Sequence, residues 1–87
     1  MTDFEIKLRD MLIDQLDLED IDPEIITRDT YLFGEGLELD SVDAIEIEVM
    51  VKKEYGIDIL ASERTSSTFG TFGTLCDFIK NNINRDV

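Results

Sequence analysis

Apolar residues in this chain recur at helical spacing in three separate segments, and nowhere at sustained strand spacing. In the first segment Phe4, Leu8, Met11, Leu12 and Leu16 form a stripe that Ile6 and Ile13 widen. Thr2 and Glu5 precede it at the spacing of a capping box, in which the hydroxyl accepts from the Glu5 N–H and the carboxylate reaches back to Thr2. Asp3 and Glu5 also suit the positive end of a helix dipole. A first helix is predicted over about residues 3–16.

A second helix is predicted to start near Ser41, with Asp40 or Ser41 as its cap and Asp43 in its first turn. Val42, Ala44, Ile45, Val49 and Lys52 fall along one face, with Ile47, Met50 and Val51 beside them. Lys52 and Lys53 suit the C-terminal pole, Gly56 supplies a stop, and Ile57-Asp58-Ile59 reads as an extended link. Ile45 to Val49 alternates like a strand, but inside a longer helical frame. Phe72, Leu75, Cys76, Ile79 and Ile83 predict a last helix from about Thr71 to Asn82, weakened near its start by Gly73. Between these, Ala61 to Thr65 reads as one short helical turn with Ser62 as its cap, and Thr65-Ser66-Ser67-Thr68 as a turn or loop. The residues alone thus give three helices and one short helical segment.

The connection from Asp17 to Asp40 is long for a compact domain, and connections of that length are often functional. Leu18, Ile21, Ile25, Ile26, Leu32, Phe33, Leu37 and Leu39 can pin it onto the helices, and a helical turn is expected at Pro23-Glu24-Ile25. Residues 1–40 hold 13 acidic and 3 basic side chains, against 8 and 5 in residues 41–87.

With 87 residues and a net charge of −13, the chain is expected to form a single domain over residues 1–87. That charge argues against nucleic acid, whose binding depends on cations that neutralise phosphates, and against an anionic membrane surface. No apolar run exceeds three residues, and the N-terminus lacks a signal-peptide pattern, so a cytosolic location is expected. The absence of His removes imidazole-based triads and His-ligated metal sites, and one Cys cannot make an internal disulfide or a multi-thiolate zinc site.

Several candidate sites have plainer explanations. Asp20, Asp22 and Glu24 occupy alternate positions as in a calcium loop, but Ile25 stands where such a loop needs Gly and Tyr31 where it needs Glu. No dedicated metal site is expected, only loose divalent-ion binding that eases carboxylate repulsion. Gly34-Glu35-Gly36 lacks the Lys and Ser/Thr of a phosphate cradle and reads as a turn requiring positive φ. Cys76 lies on an apolar stripe and reads as a buried thiol. Asp40 and Asp43 read better as helix caps than as an acid–base pair, because nothing suggests an enclosed substrate pocket.

Ser41 differs in its context. It follows the long connection and opens the second helix, where free N–H groups and a positive dipole end can accommodate a phosphate ester. No base stands ready to activate its hydroxyl, so a modification there would come from another enzyme.

Leu39-Asp40-Ser41-Val42-Asp43 resembles the Asp-Ser-Leu signature of the acyl carrier proteins. The resemblance extends through Ala44-Ile45-Glu46-Ile47 to Glu54-Tyr55-Gly56-Ile57-Asp58-Ile59. It also takes in Leu32 to Leu37 upstream and Phe69, Phe72, Thr74-Leu75 and Phe78-Ile79 downstream, nearly the whole chain. It implies an all-α fold, a small four-helix bundle with a short third helix and a long loop between helices one and two. It implies a non-catalytic, monomeric carrier in which a phosphopantetheinyl transferase attaches 4′-phosphopantetheine from coenzyme A to Ser41. The arm then holds acyl groups as thioesters and presents them to enzymes of fatty-acid or polyketide-type synthesis, such as a ketosynthase and an acyltransferase. Asp40, Val42, Asp43 and Glu46 fall where the family meets its partner enzymes.

Two departures stand out: Lys52-Lys53 in a helix that is usually strongly acidic, and Glu48 where an apolar residue is common. Partners that read an acidic stripe are therefore expected to bind poorly. The Phe-Gly-Glu-Gly-Leu loop and the Phe/Cys-rich last helix resemble carriers of a specialised pathway, such as aryl-polyene or polyketide-like synthesis. Two other classes stay open: an aminoacyl or peptidyl carrier, and an unmodified acidic interaction bundle in which Ser41 is only a cap.

Overall fold

In a computed structural model that describes residues 1–83, the chain forms α1 (Asp3–Gln15), α2 (Ser41–Tyr55), α3 (Ser66–Phe69) and α4 (Phe72–Ile83), with 3-10 turns at Pro23–Ile25 and Ala61–Glu63. The described residues contain no strand, only isolated bridges between Tyr31 and Thr71 and between Phe33 and Leu39. The all-α bundle with a short third helix is the fold expected from the resemblance.

Each long helix begins with a reciprocal cap. The Thr2 hydroxyl accepts from the Glu5 N–H at 3.2 Å, and Glu5 Oε1 accepts from the Thr2 N–H at 2.8 Å. Asp40 and Asp43 repeat the arrangement on α2, with both bonds at 3.0 Å. Thr71 and Thr74 do so on α4, at 3.1 and 3.0 Å. Each cap satisfies backbone donors that a helix start leaves without intrahelical partners. Gly56, at φ +69°, ends α2 and donates to the Lys52 carbonyl.

The short helix lies further along the chain than its sequence suggested. Residues Ala61–Glu63 form only a 3-10 turn, and α3 occupies Ser66–Phe69 in the stretch that reads as a loop. Its N-cap is Thr65, not Ser62: the Thr65 hydroxyl accepts from the Ser67 N–H at 3.3 Å. Polar composition disguised it, because the helix is fixed by burying Thr68 and Phe69 at its end rather than by an apolar stripe.

Leu8, Leu12, Ile47, Val51, Phe72, Leu75, Cys76 and Ile79 are at most 1% exposed and fill the centre of the bundle. Burial of an aliphatic or aromatic side chain of this size contributes roughly 1.5–3 kcal/mol. The long connection is pinned to this core by Ile26, Leu32 and Leu39, whereas Ile25 faces solvent. The Gly-Glu-Gly turn has two causes. Gly34 takes φ +69°, and a Cβ on Gly36 would lie 1.8 Å from the Tyr31 carbonyl oxygen. Gly73, unfavourable in a helix by propensity, lets α4 approach the connection: its N–H donates to the Arg28 carbonyl at 2.9 Å.

Among the described residues no helix is long and apolar enough to cross a membrane. No group of three or more His, Cys, Asp or Glu among them is placed to hold a metal ion. Asp22 of the acidic loop instead caps the first 3-10 turn through the Glu24 N–H, at 3.0 Å.

Candidate functional site

Ser41 is the first residue of α2 and is exposed. The capping role left open between two residues belongs to Asp40, so the Ser41 hydroxyl is not consumed by the cap. The box uses the N–H groups of Asp40 and Asp43. Those of Ser41 and Val42 lie in the first turn, where a helix offers donors without partners inside it. Both carboxylates near the serine are held by backbone N–H groups, and neither is hydrogen-bonded to its hydroxyl.

A cavity of about 510 Å³ opens beside Ser41, between α2, the segment from Arg64 to Gly70, and Phe33 of the long connection. Ala44, Phe33 and Phe69 give it apolar walls, and the two rings meet nearly edge to face at 6.3 Å. Glu48, Arg64, Thr65 and Ser66 give it polar ones. Arg64 Nε and Nη2 both donate to the Glu48 carboxylate, each at 2.8 Å. No sequence pattern signals this pair, because nothing local relates two residues sixteen positions apart. The cavity is equally hidden, since Phe69 ends a helix whose Ser66-Ser67-Thr68 stretch has the composition of a loop.

The residues expected to meet partners do not share one environment. Asp40 and Val42 are exposed, while Asp43 and Glu46 are half-buried on the flank of α2. The outward face of the helix is apolar: Val42, Ile45 and Val49 are 61%, 57% and 59% exposed, and Ile47, Met50 and Val51 point inward. Lys52 closes this stripe and pairs with Asp58 at 2.9 Å.

The chain's one thiol is removed from any such chemistry. Cys76 is fully buried, and burial pushes its thiol up to about 12, with Glu5 adding to the effect.

These observations fit a phosphodiester-linked arm: an exposed hydroxyl at a helix start, unspent N–H groups next to it, and an adjacent cavity with apolar walls. A small helical bundle with such a serine is the scaffold of a carrier protein. The family described as "Phosphopantetheine attachment site" matches residues 7–79, and the chain belongs to it. It is 42% identical over 62 residues to the polyketide-8 synthase acyl carrier protein 2 of Streptomyces avermitilis, an alignment covering 71% of this chain and 67% of that one. Its fold is similar to the solution structure of a holo acyl carrier protein from Nitrosomonas europaea, with a TM-score of 0.76 at 23% identity over 95% of this chain and 99% of the other. The chain is an acyl carrier protein, and phosphopantetheine is its covalent cofactor.

Proposed function

We propose that Ser41 is the attachment point and that the chain carries acyl groups for a polyketide-type synthase. The observation that carries this reading is the position of Ser41. Its exposed hydroxyl begins a fifteen-residue helix and lines the cavity, while a separate residue performs the cap. Ser66 also begins a helix, but one of four residues.

Attachment would form a bond from Ser41 Oγ to the phosphorus of coenzyme A that bears the pantetheine arm. The bond from that phosphorus to the bridging oxygen breaks, and the nucleotide bisphosphate leaves with that oxygen. The hydroxyl proton goes to the transferase, because Asp40 and Asp43 are occupied by N–H groups and the chain has no His. The arm supplies a thiol that holds the acyl group as a thioester. This chain's own residues present the serine, shelter what the arm carries and meet the partner enzymes; catalysis belongs to those enzymes. A cytosolic location goes with coenzyme A as donor. Support for polyketide-type chemistry comes from the Streptomyces relative.

Intact mass after incubation with coenzyme A and a broad-specificity transferase tests the reading. The expected result is a gain of one phosphopantetheine in the natural chain and none in Ser41→Ala. No gain, or a gain that survives in Ser41→Ala, overturns it. Offering aminoacyl- and acyl-loading enzymes to the holo form separates the acyl from the aminoacyl carrier.

A further inference from the structure

We propose that the Arg64 guanidinium, clamped by Glu48 in the wall of the cavity beside Ser41, is a specificity determinant that favours cargo chains bearing neutral oxygen functions by donating hydrogen bonds to them. The proposal rests on Ser41 as the attachment point and concerns what the arm delivers.

The cavity is only partly apolar. Phe33, Ala44 and Phe69 can pack against carbon, but an ion pair forms part of the same wall. Glu48 is 14% exposed at its side chain, against 53% for Arg64. The guanidinium therefore lies over a carboxylate that is mostly removed from water.

A guanidinium has five N–H donors in a fixed plane. Glu48 takes two of them, one from Nε and one from Nη2. One donor on Nη2 and both on Nη1 remain, and the bidentate contact fixes the direction in which they point. Fixed donors beside apolar walls suit a carbonyl or hydroxyl oxygen set on a carbon chain. Glu48 cancels the charge of Arg64, so the site does not favour a carboxylate over a neutral oxygen. An unbroken methylene chain would cover the remaining N–H groups and strip their water without replacing it, which is unfavourable. The polar residue at position 48 is then a specificity determinant of the cavity.

The test uses isotope-labelled full-length chain converted with hexanoyl- and with 3-oxohexanoyl-coenzyme A. Intact mass establishes loading, and NMR follows the Arg64 Nε–H and the amides of Ala44, Ser66 and Gly70. The 3-oxohexanoyl form is expected to move these signals from their positions in the unacylated holo form, and the hexanoyl form to leave them in place. In the double variant Glu48→Leu with Arg64→Leu, which removes both partners and leaves no buried charge alone, the hexanoyl chain is expected to move the amides instead. Equal shifts from the two chains in the natural protein overturn the proposal, a comparison that needs no variant to fold. A double variant that keeps the 3-oxohexanoyl preference overturns it as well. Full mass gain without chain preference rejects the cavity assignment alone, whereas no mass gain rejects the attachment reading and the cavity assignment with it.

Discussion

Arg28, in the connection between α1 and α2, donates to the buried carboxylate of Glu5 on α1. Its other terminal nitrogen reaches Asp77 on α4 at 2.7 Å, so one guanidinium ties three parts of the chain together. Glu5 is 4% exposed and also accepts from the Thr2 N–H. The Thr2 N–H first, and Arg28 second, hold its carboxyl below the ordinary 4.5, at about 2.

This sets a pH dependence. A carboxyl with a lowered folded-state pKa supplies stability that is complete above its unfolded value and lost as pH falls through the folded one. Urea midpoints are expected to hold above pH 4.5 and to drop steadily toward pH 2, with the Glu5→Gln variant flatter over that range. At pH 7 the variant is expected to cost about 2 kcal/mol, because it weakens a charge-assisted bond to a partner that stays half exposed. Parallel acid titrations of the two proteins would disprove the assignment.

The cap and the Ser41 hydroxyl should separate by mutation. Asp40→Ala is expected to lose about 1 kcal/mol of stability, since it leaves the Asp43 N–H without its acceptor. Ser41→Ala should stay within about 0.5 kcal/mol of the natural chain, as an exposed residue outside the capping box. Thermal melts of both variants decide it, and an equal loss in the two would place the serine in the cap.

The apolar outward face of α2 makes a prediction about partners. Ile45→Asp and Val49→Asp remove exposed side chains, so melts should shift little while transfer from a cognate synthase enzyme falls about tenfold or more. Neutralising Asp40 or Glu46 should instead change the association rate and its salt dependence. Stopped-flow association at two ionic strengths distinguishes these effects; an undiminished transfer in both apolar variants would exclude this face from docking.

Cys76 should be inert in the folded chain. Its thiol is buried and raised to about 12, so alkylation by iodoacetamide at pH 8 is expected to proceed only in urea. Mass after timed alkylation reads this directly, and rapid labelling of the native protein would contradict it.

Gly73→Ala should be destabilising although alanine is the better helix former. Its Cβ would stand 2.7 Å from the Arg28 carbonyl oxygen and 3.0 Å from the Arg28 Cβ, forcing α4 away from the connection. A loss of about 1–3 kcal/mol is expected. A melting point at or above that of the natural chain would show that helix propensity wins there.

What could be read along the chain was local. The starts of α1 and α2 follow from side chains three residues apart, the helical frames from apolar spacing, and the place of Ser41 from its position between a long connection and a helix. The lack of His already excluded imidazole-based triads and His-ligated metal sites. Three matters waited for the tertiary structure. Periodicity offered two adjoining apolar faces on α2, and packing against α1 and α4 chose Ile47, Met50 and Val51 for the interior, leaving Val42, Ile45 and Val49 to solvent. The short helix formed where Thr68 and Phe69 found burial, not where its own composition favoured it. Arg64 met Glu48 only because the chain turned back on itself. Each of these is decided by which distant surfaces meet, and spacing along one segment carries no record of its neighbours.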